Sequence, residues 1–287
     1  MHPCRSPWSR AAVCALAVRA ITVGGLSLSA CATSASMPSA QLPSADLRRV
    51  EAPTVPFEQT ALAAMPATRT DAVELAVALP ERFDPAQEHP ILITQVTSNR
   101  GRSNTAELEA YASTALGLGY VVLTAQAIPW PSTEQSDTLA HRYASVRAAL
   151  RWLAGEVPAS ERWPIVLAGF SGGAKISQVL AFSLSLEGRR VAGMYLGGCN
   201  EDHSRVLLEE FPTVKGQLSQ MAVFLSVGEE DRIAPPAAVR EVAHHLRGSG
   251  VQQVEVSVHR GGHRLDVHEL TKALRWLRGR EKGAVRE

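Results

Sequence analysis

The chain has 287 residues, of which 45% are hydrophobic and 20% charged. That composition excludes a disordered or collagen-like chain, and at roughly 100–200 residues per domain the length suits one large domain or two small ones. Lysine and arginine number 29 against 28 acids, a net charge of +1, which lacks the basic surplus of a nucleic-acid binder.

The first 31 residues carry Arg5, Arg10 and Arg19 and no acid. An apolar run over 20–30 follows, ending in Leu28-Ser29-Ala30-Cys31. The run has the length of a signal-peptide core and is too short to span a bilayer as a helix. Its last four residues resemble the lipobox of bacterial lipoproteins, which implies cleavage before Cys31 and lipidation of that cysteine. The alternative is an ordinary secretory signal cut after a small-residue site. Cleavage before Cys31 would remove three arginines and turn the net charge from +1 to −2. Cys4 and Cys14 would leave with the signal and Cys31 would carry lipid, so Cys199 has no disulfide partner. A domain of this size needs no such staple.

Residues 32–69 are rich in Ala, Ser, Pro and Thr and hold neither a helical nor a strand period, which reads as a tether. The folded domain is expected over 70–280, with a polar tail at 281–287. Within it, alternation over 73–79 predicts an edge strand. Short apolar runs predict strands at 91–96 and 120–124. Between them, Asn104 and Glu107 form a capping-box pattern. Leu108, Tyr111, Ala112, Ala115 and Leu116 then recur at helical spacing up to Gly117 and Gly119. A helix over 136–154 turns Leu139, Tyr143, Val146, Leu150 and Leu153 inward. Strands follow at 164–168, 191–196, 222–227 and 254–258, with helices at 173–186, 237–247 and 268–277. Apolar strands alternating with helices predict an α/β class domain: a mostly parallel central sheet with helices on both faces. In such sheets the ligand site lies beyond the carboxyl ends of the strands.

Three loops at those ends carry chemistry. Gly169-Phe170-Ser171-Gly172-Gly173 matches G-x-S-x-G between a strand and a helix, the context of a nucleophile elbow. The N–H of Gly172 would open the helix, where an oxyanion is favoured. A serine needs a base, and the chain order for this arrangement is Ser, acid, His. Asp231 follows strand 222–227, with Glu229 and Glu230 as alternatives. His263 follows strand 254–258 after a Gly-Gly turn. His259 lies too close to the strand end, and His268 starts the last helix.

These residues resemble the α/β-hydrolase superfamily, over 73–277. Leu79-Pro80-Glu81-Arg82-Phe83-Asp84-Pro85, Gly169 to Ala174 and Gly228-Glu229-Glu230-Asp231 look like its esterase and polyhydroxybutyrate-depolymerase-like branch. The resemblance implies the α/β-hydrolase fold and a serine hydrolase. Ser171 would be nucleophile, His263 general base then acid, and Asp231 the residue that orients His263. One departure stands out: where the family has His-Gly after the strand 91–96, this chain has Gln95-Val96-Thr97. The second oxyanion donor would be a backbone N–H of Val96 or Thr97, or the Gln95 side chain.

Trp130 and Asn200 are candidate pocket-lining residues. The 199–203 loop crowds metal-capable side chains without zinc spacing, so no metal is expected, and no phosphate loop or dinucleotide fingerprint implies a cofactor. His244 and His245 fall on the solvent side of an amphipathic helix. The expected function is hydrolysis of a small or polymeric carboxylic ester by an envelope lipoprotein held to the membrane through Cys31. Ala32 after that cysteine suggests the outer membrane, facing the periplasm. The alternatives are an amidase or peptidase of the same fold, or a non-catalytic envelope binding protein that retains it.

Overall fold

Five- to seven-residue runs of Val, Ile, Leu and Ala cannot remain in water, and a parallel sheet covered on both faces buries them completely. The structure, a computed structural model, describes residues 50–51, 54–56, 72–97, 104–125 and 139–281; the signal segment, Cys31 and Trp130 lie outside these. In chain order come β1 (Val50–Glu51), β2 (Thr54–Pro56), β3 (Ala72–Ala78), β4 (Ile91–Gln95), α1 (Asn104–Gly117), β5 (Val121–Ala125) and α2 (Leu139–Glu156). After a 3-10 turn come β6 (Ile165–Phe170), α3 (Gly172–Leu186), β7 (Val191–Gly197), α4 (Ser204–Glu210) and the single-turn α5 (Lys215–Leu218). β8 (Ala222–Gly228), α6 (Pro236–Gly248), β9 (Gln253–His259) and α7 (Val267–Glu281) complete it.

The sheet order is β1-β3-β5-β4-β6-β7-β8-β9, with β2 also paired to β3. β5 through β9 along that order are parallel, and β3 joins β5 antiparallel. Two clusters of buried side chains cover its faces. Leu108, Tyr111 and Ala115 of α1 pack with Leu270, Leu274 and Leu277 of α7 on one face. Tyr143, Val146, Leu150 and Leu153 of α2, Val179 and Leu180 of α3, and Val239 and Leu246 of α6 pack on the other. Each aliphatic side chain taken fully out of water contributes about 1.5–3 kcal/mol. Thr94 and Thr124, buried neighbours across β4 and β5, share a hydrogen bond between hydroxyls.

The chain leaves β4 toward one face, by α1, and leaves β6 toward the other, by α3. The strand order therefore reverses between β4 and β6, and the crevice at their carboxyl ends is the natural ligand position. Both the Gln95–Thr97 segment and the Gly-Phe-Ser-Gly-Gly turn open there.

The strands and long helices lie within a few residues of the sequence expectation. β6 runs two residues further, to Phe170, because the turn that follows is a single residue long. β1 and β2 fall inside the stretch read as tether. They are two and three residues long, too short for a period, and both pair antiparallel with β3. α4 and α5 are likewise too short to show a helical period.

Candidate active site

One residue, Ser171, separates β6 from α3, and that brevity sets its conformation. Its φ is 55° and its ψ −118°, and it is the one non-glycine with positive φ among the described residues. Such a backbone costs about 1–3 kcal/mol and persists only where surroundings enforce it. Glycines enforce it by letting three chains touch. A Cβ on Gly169 would lie 2.3 Å from the Gly173 carbonyl carbon, and a Cβ on Gly173 would lie 2.0 Å from the Gln95 oxygen. The Ser171 N–H donates to the Gly197 carbonyl at 2.8 Å. Serine at a helix start ordinarily caps it, but the Ser171 side chain makes no capping bond, because the positive φ turns it off the helix axis.

The acid and the histidine come from the loops that follow β8 and β9. Backbone bonds knit those loops together: Glu229 N–H donates to His259 O at 2.7 Å and Glu230 N–H to Gly261 O at 2.9 Å. The side chains of Glu229 and Glu230 are exposed, while Asp231 is 4% exposed. Asp231 Oδ1 accepts the N–H groups of Ile233 and Ala234 at 2.9 and 2.8 Å. Its Oδ2 is 2.7 Å from His263 Nδ1. With Nδ1 turned to the acid, His263 presents Nε2 on the opposite side of the ring. Phe170, the residue before Ser171, packs on this imidazole with ring centroids 4.7 Å apart, which sets His263 beside the elbow. His259 closes β9 and its ring faces the Arg260 carbonyl. His268 is exposed in the first turn of α7.

The end of β4 meets the elbow directly. Thr97 Oγ1 donates to the Phe170 carbonyl at 3.0 Å and accepts the Gly173 N–H at 3.2 Å. Gly172 lies against the Thr97 methyl. Gln95 and Val96 are buried, and the Val96 carbonyl accepts Arg142 Nη1 at 2.7 Å. Thus Gly172, Val96 and Thr97 are assembled around the Ser171 turn.

Sequence reasoning missed Gly198, whose φ is +55°. A Cβ there would lie 3.0 Å from both His263 Cε1 and the Phe170 ring. Gly198→Ala should therefore push the imidazole aside and strain the backbone by about 1–2 kcal/mol. The expected result is a melting temperature lower by roughly 2–8 °C, at about 2–4 °C per kcal/mol. An unchanged melting curve would contradict the close approach of Gly198 to the His263 and Phe170 rings. The signal available in the sequence was Gly197-Gly198 at a strand end.

The loop after β7 is tied to α3. Glu201 pairs with Lys175. Gln178 Nε2 donates to the Glu201 carbonyl at 2.8 Å and Oε1 accepts His203 N–H at 3.2 Å. Asn200 Nδ2 donates to the Ile233 carbonyl at 2.9 Å, tying this loop to the Asp231 loop. Burial holds His203 below its usual range. Among the described residues no three His, Cys, Asp or Glu side chains gather as a metal site. Cys199 is fully buried, and burial pushes its thiol up to about 12. The thiolate is the reactive form, so in native protein Ellman's reagent should titrate no more thiol in wild type than in Cys199→Ser. Guanidinium chloride should then expose one more group in wild type; an equal excess without denaturant would contradict the burial.

No family model and no curated protein matches the sequence. Solved structures do. A bacterial heroin esterase is 16% identical, with a TM-score of 0.58 over 81% of this chain and 84% of its own. A ferulic acid esterase is 15% identical, with a TM-score of 0.57 over 82% and 98%. An α/β serine hydrolase without a lid, from Xanthomonas campestris, is 19% identical, with a TM-score of 0.51 over 85% and 95%. The chain has the α/β-hydrolase fold. Identities this low speak for the fold alone, and function rests on the site. The elbow after β6, the acid after β8 and the histidine after β9 all open at the carboxyl ends of the parallel strands.

Proposed function

We propose that this protein is a serine hydrolase that cleaves carboxylic esters. The observation that carries the reading is the 2.7 Å pairing of His263 with buried Asp231 beside the strained elbow that holds Ser171. The His263 Nε2 takes the Ser171 proton as Oγ attacks the ester carbonyl. Asp231 keeps Nδ1 protonated and steadies the imidazolium. The N–H groups of Gly172 and of the 96–97 segment receive the developing oxyanion. The tetrahedral intermediate collapses, the C–O bond breaks, and the alcohol leaves with the proton from His263. Water, deprotonated by His263, then attacks the acyl-enzyme and releases the acid.

The test incubates detergent-solubilised full-length protein with a fluorophosphonate and with short and medium p-nitrophenyl esters. Labelling and turnover that Ser171→Ala and His263→Ala both lose supports the reading. A folded wild-type chain that is neither labelled nor active sinks it and favours the non-catalytic binding alternative, which the absence of His-Gly at Gln95-Val96 leaves in play. Labelling with amide but no ester turnover would move the substrate class to amides, which the same triad serves.

The placement belongs to this proposal too. The protein is exported and anchored to the cell envelope by lipid on Cys31, facing the periplasm; the support is the Leu28-Ser29-Ala30-Cys31 pattern. Multiple acyl chains give stable anchoring at about 0.8 kcal/mol per buried CH₂. Among the described residues no helix is long and apolar enough to cross a membrane. Metabolic palmitate labelling should be lost in Cys31→Ala; label retained would overturn the anchor.

A further inference from the structure

Arg142, on α2, is 3% exposed. A guanidinium stays charged, and taking a charge out of water costs several kcal/mol unless its hydrogen bonds are well placed. One of those bonds reaches across the fold to the site: Nη1 donates to the Val96 carbonyl at 2.7 Å. The peptide joining Val96 to Thr97 is a rigid trans plane, so its C=O and N–H point to opposite sides. Holding the Val96 oxygen toward α2 therefore turns the Thr97 N–H away from Arg142. The other end of this residue is also fixed, because the Thr97 hydroxyl bonds both the Phe170 carbonyl and the Gly173 N–H. The plane is clamped from the α2 side by a cation and from the elbow side by a side chain.

From this geometry we propose that Arg142 is a positioning residue for the second oxyanion donor, aiming the Thr97 N–H to act beside that of Gly172. The inference rests on the ester-hydrolase reading for its chemistry. The cation has a second effect beyond geometry. A positive charge on the carbonyl oxygen polarises the peptide and strengthens its N–H as a donor. This gives the chain a substitute for the His-Gly it lacks: the donor is specified by a residue 46 positions away rather than by the strand-end sequence.

The experiment compares Arg142→Lys and Arg142→Ala with wild type as full-length protein. It measures kcat and KM on a p-nitrophenyl ester, thermal unfolding, and hydrogen exchange of the peptide covering 91–97. Loss of one oxyanion donor costs about 10²–10³ in kcat. Arg142→Ala should fall toward that range with KM within about twofold, and guanidinium ion at sub-denaturing concentration should restore part of kcat. Arg142→Lys, which keeps a charged donor, should lose less and guards against a misfolded alanine variant. Amide exchange over 91–97 should rise in both. Wild-type kcat in either variant, or a loss that follows unfolding and ignores guanidinium, overturns the proposal. If wild type itself lacks ester turnover, the hydrolase reading fails alone and exchange decides: faster exchange in Arg142→Lys supports the clamp, and equal exchange overturns it.

Discussion

Under the proposed mechanism, Asp231→Asn is expected to lower kcat for ester hydrolysis by about 10⁴-fold, the loss known for Ser-His-Asp triads, with the domain still folded. The reason lies in how the two carboxylate oxygens are used. Oδ1 accepts the backbone N–H groups of Ile233 and Ala234, and an asparagine oxygen can go on accepting both. That places the new NH₂ against His263 Nδ1, where the carboxylate now accepts at 2.7 Å. Two donors cannot share that contact, so the imidazole must move its proton to Nε2. It can then no longer serve as the base that the proposed mechanism requires for Ser171. Asp231→Ala is the poorer test, because it strands the buried Ala234 N–H at a cost of about 1–3 kcal/mol and mixes stability with chemistry. The measurement is kcat beside a melting curve. A folded Asp231→Asn that keeps more than about a tenth of wild-type turnover would pass the orienting role to another acid, with Glu229 and Glu230 the neighbours to replace next.

The site draws on three strand ends that are distant in sequence and adjacent at one edge of the sheet. Ser171, Asp231 and His263 follow β6, β8 and β9, and parallel strands put all three loops on the same side. The fourth contributor, Gln95 to Thr97, follows β4 on the far side of the order reversal. The strain at Ser171 and the burial of Asp231 are therefore consequences of sheet order as much as of local sequence.

Much of this was legible in the residues because it depends on short-range rules. Val and Ile runs bounded by Gly and Pro mark strands, and Gly169-Phe170-Ser171-Gly172-Gly173 marks a turn that only small residues allow. Asp231 and His263 could be placed by chain order at strand ends. What stayed out of reach depends on contacts across the fold. Arg142 reads as an ordinary helix residue until the Val96 carbonyl is seen beside it. Gly198 and Phe170 gain meaning only from the His263 ring they pack against. β1 and β2 escape detection because an edge strand of two or three residues is selected by its partner, β3. The boundary of β6 shifted for a related reason: strand pairing with β7 holds as far as Phe170 and Gly197, although the apolar run ends at Ala168.

Gly173→Ala separates local propensity from tertiary contact, because the two predict opposite signs. Gly173 lies in the first turn of α3, and alanine is favoured over glycine in a helix interior by about 0.8–1.0 kcal/mol. Propensity alone would make the variant more stable. The new Cβ, however, would stand 2.0 Å from the Gln95 oxygen and 2.9 Å from its carbonyl carbon. Both are backbone atoms at the end of a central strand, so no side chain can swing away. Relief requires α3 and β4 to separate, which breaks the Gly173 N–H bond to Thr97 and loosens the Thr97 bond to Phe170. Overpacking of a core ordinarily costs 1–3 kcal/mol, and here two backbone segments must move. The expected loss is about 3 kcal/mol or more, which at roughly 2–4 °C per kcal/mol lowers Tm by about 6–12 °C. Ester turnover should fall further than the folded fraction does, since the same shift displaces the Thr97 N–H from the oxyanion position proposed for it. Gly172→Ala is the control, for its nearest obstacle is the Thr97 methyl at 3.0 Å, a side chain that can give by a few tenths of an ångström. If Gly173→Ala melts at or above wild type, the close approach of α3 to β4 is wrong, and with it the placement of Thr97 beside Ser171.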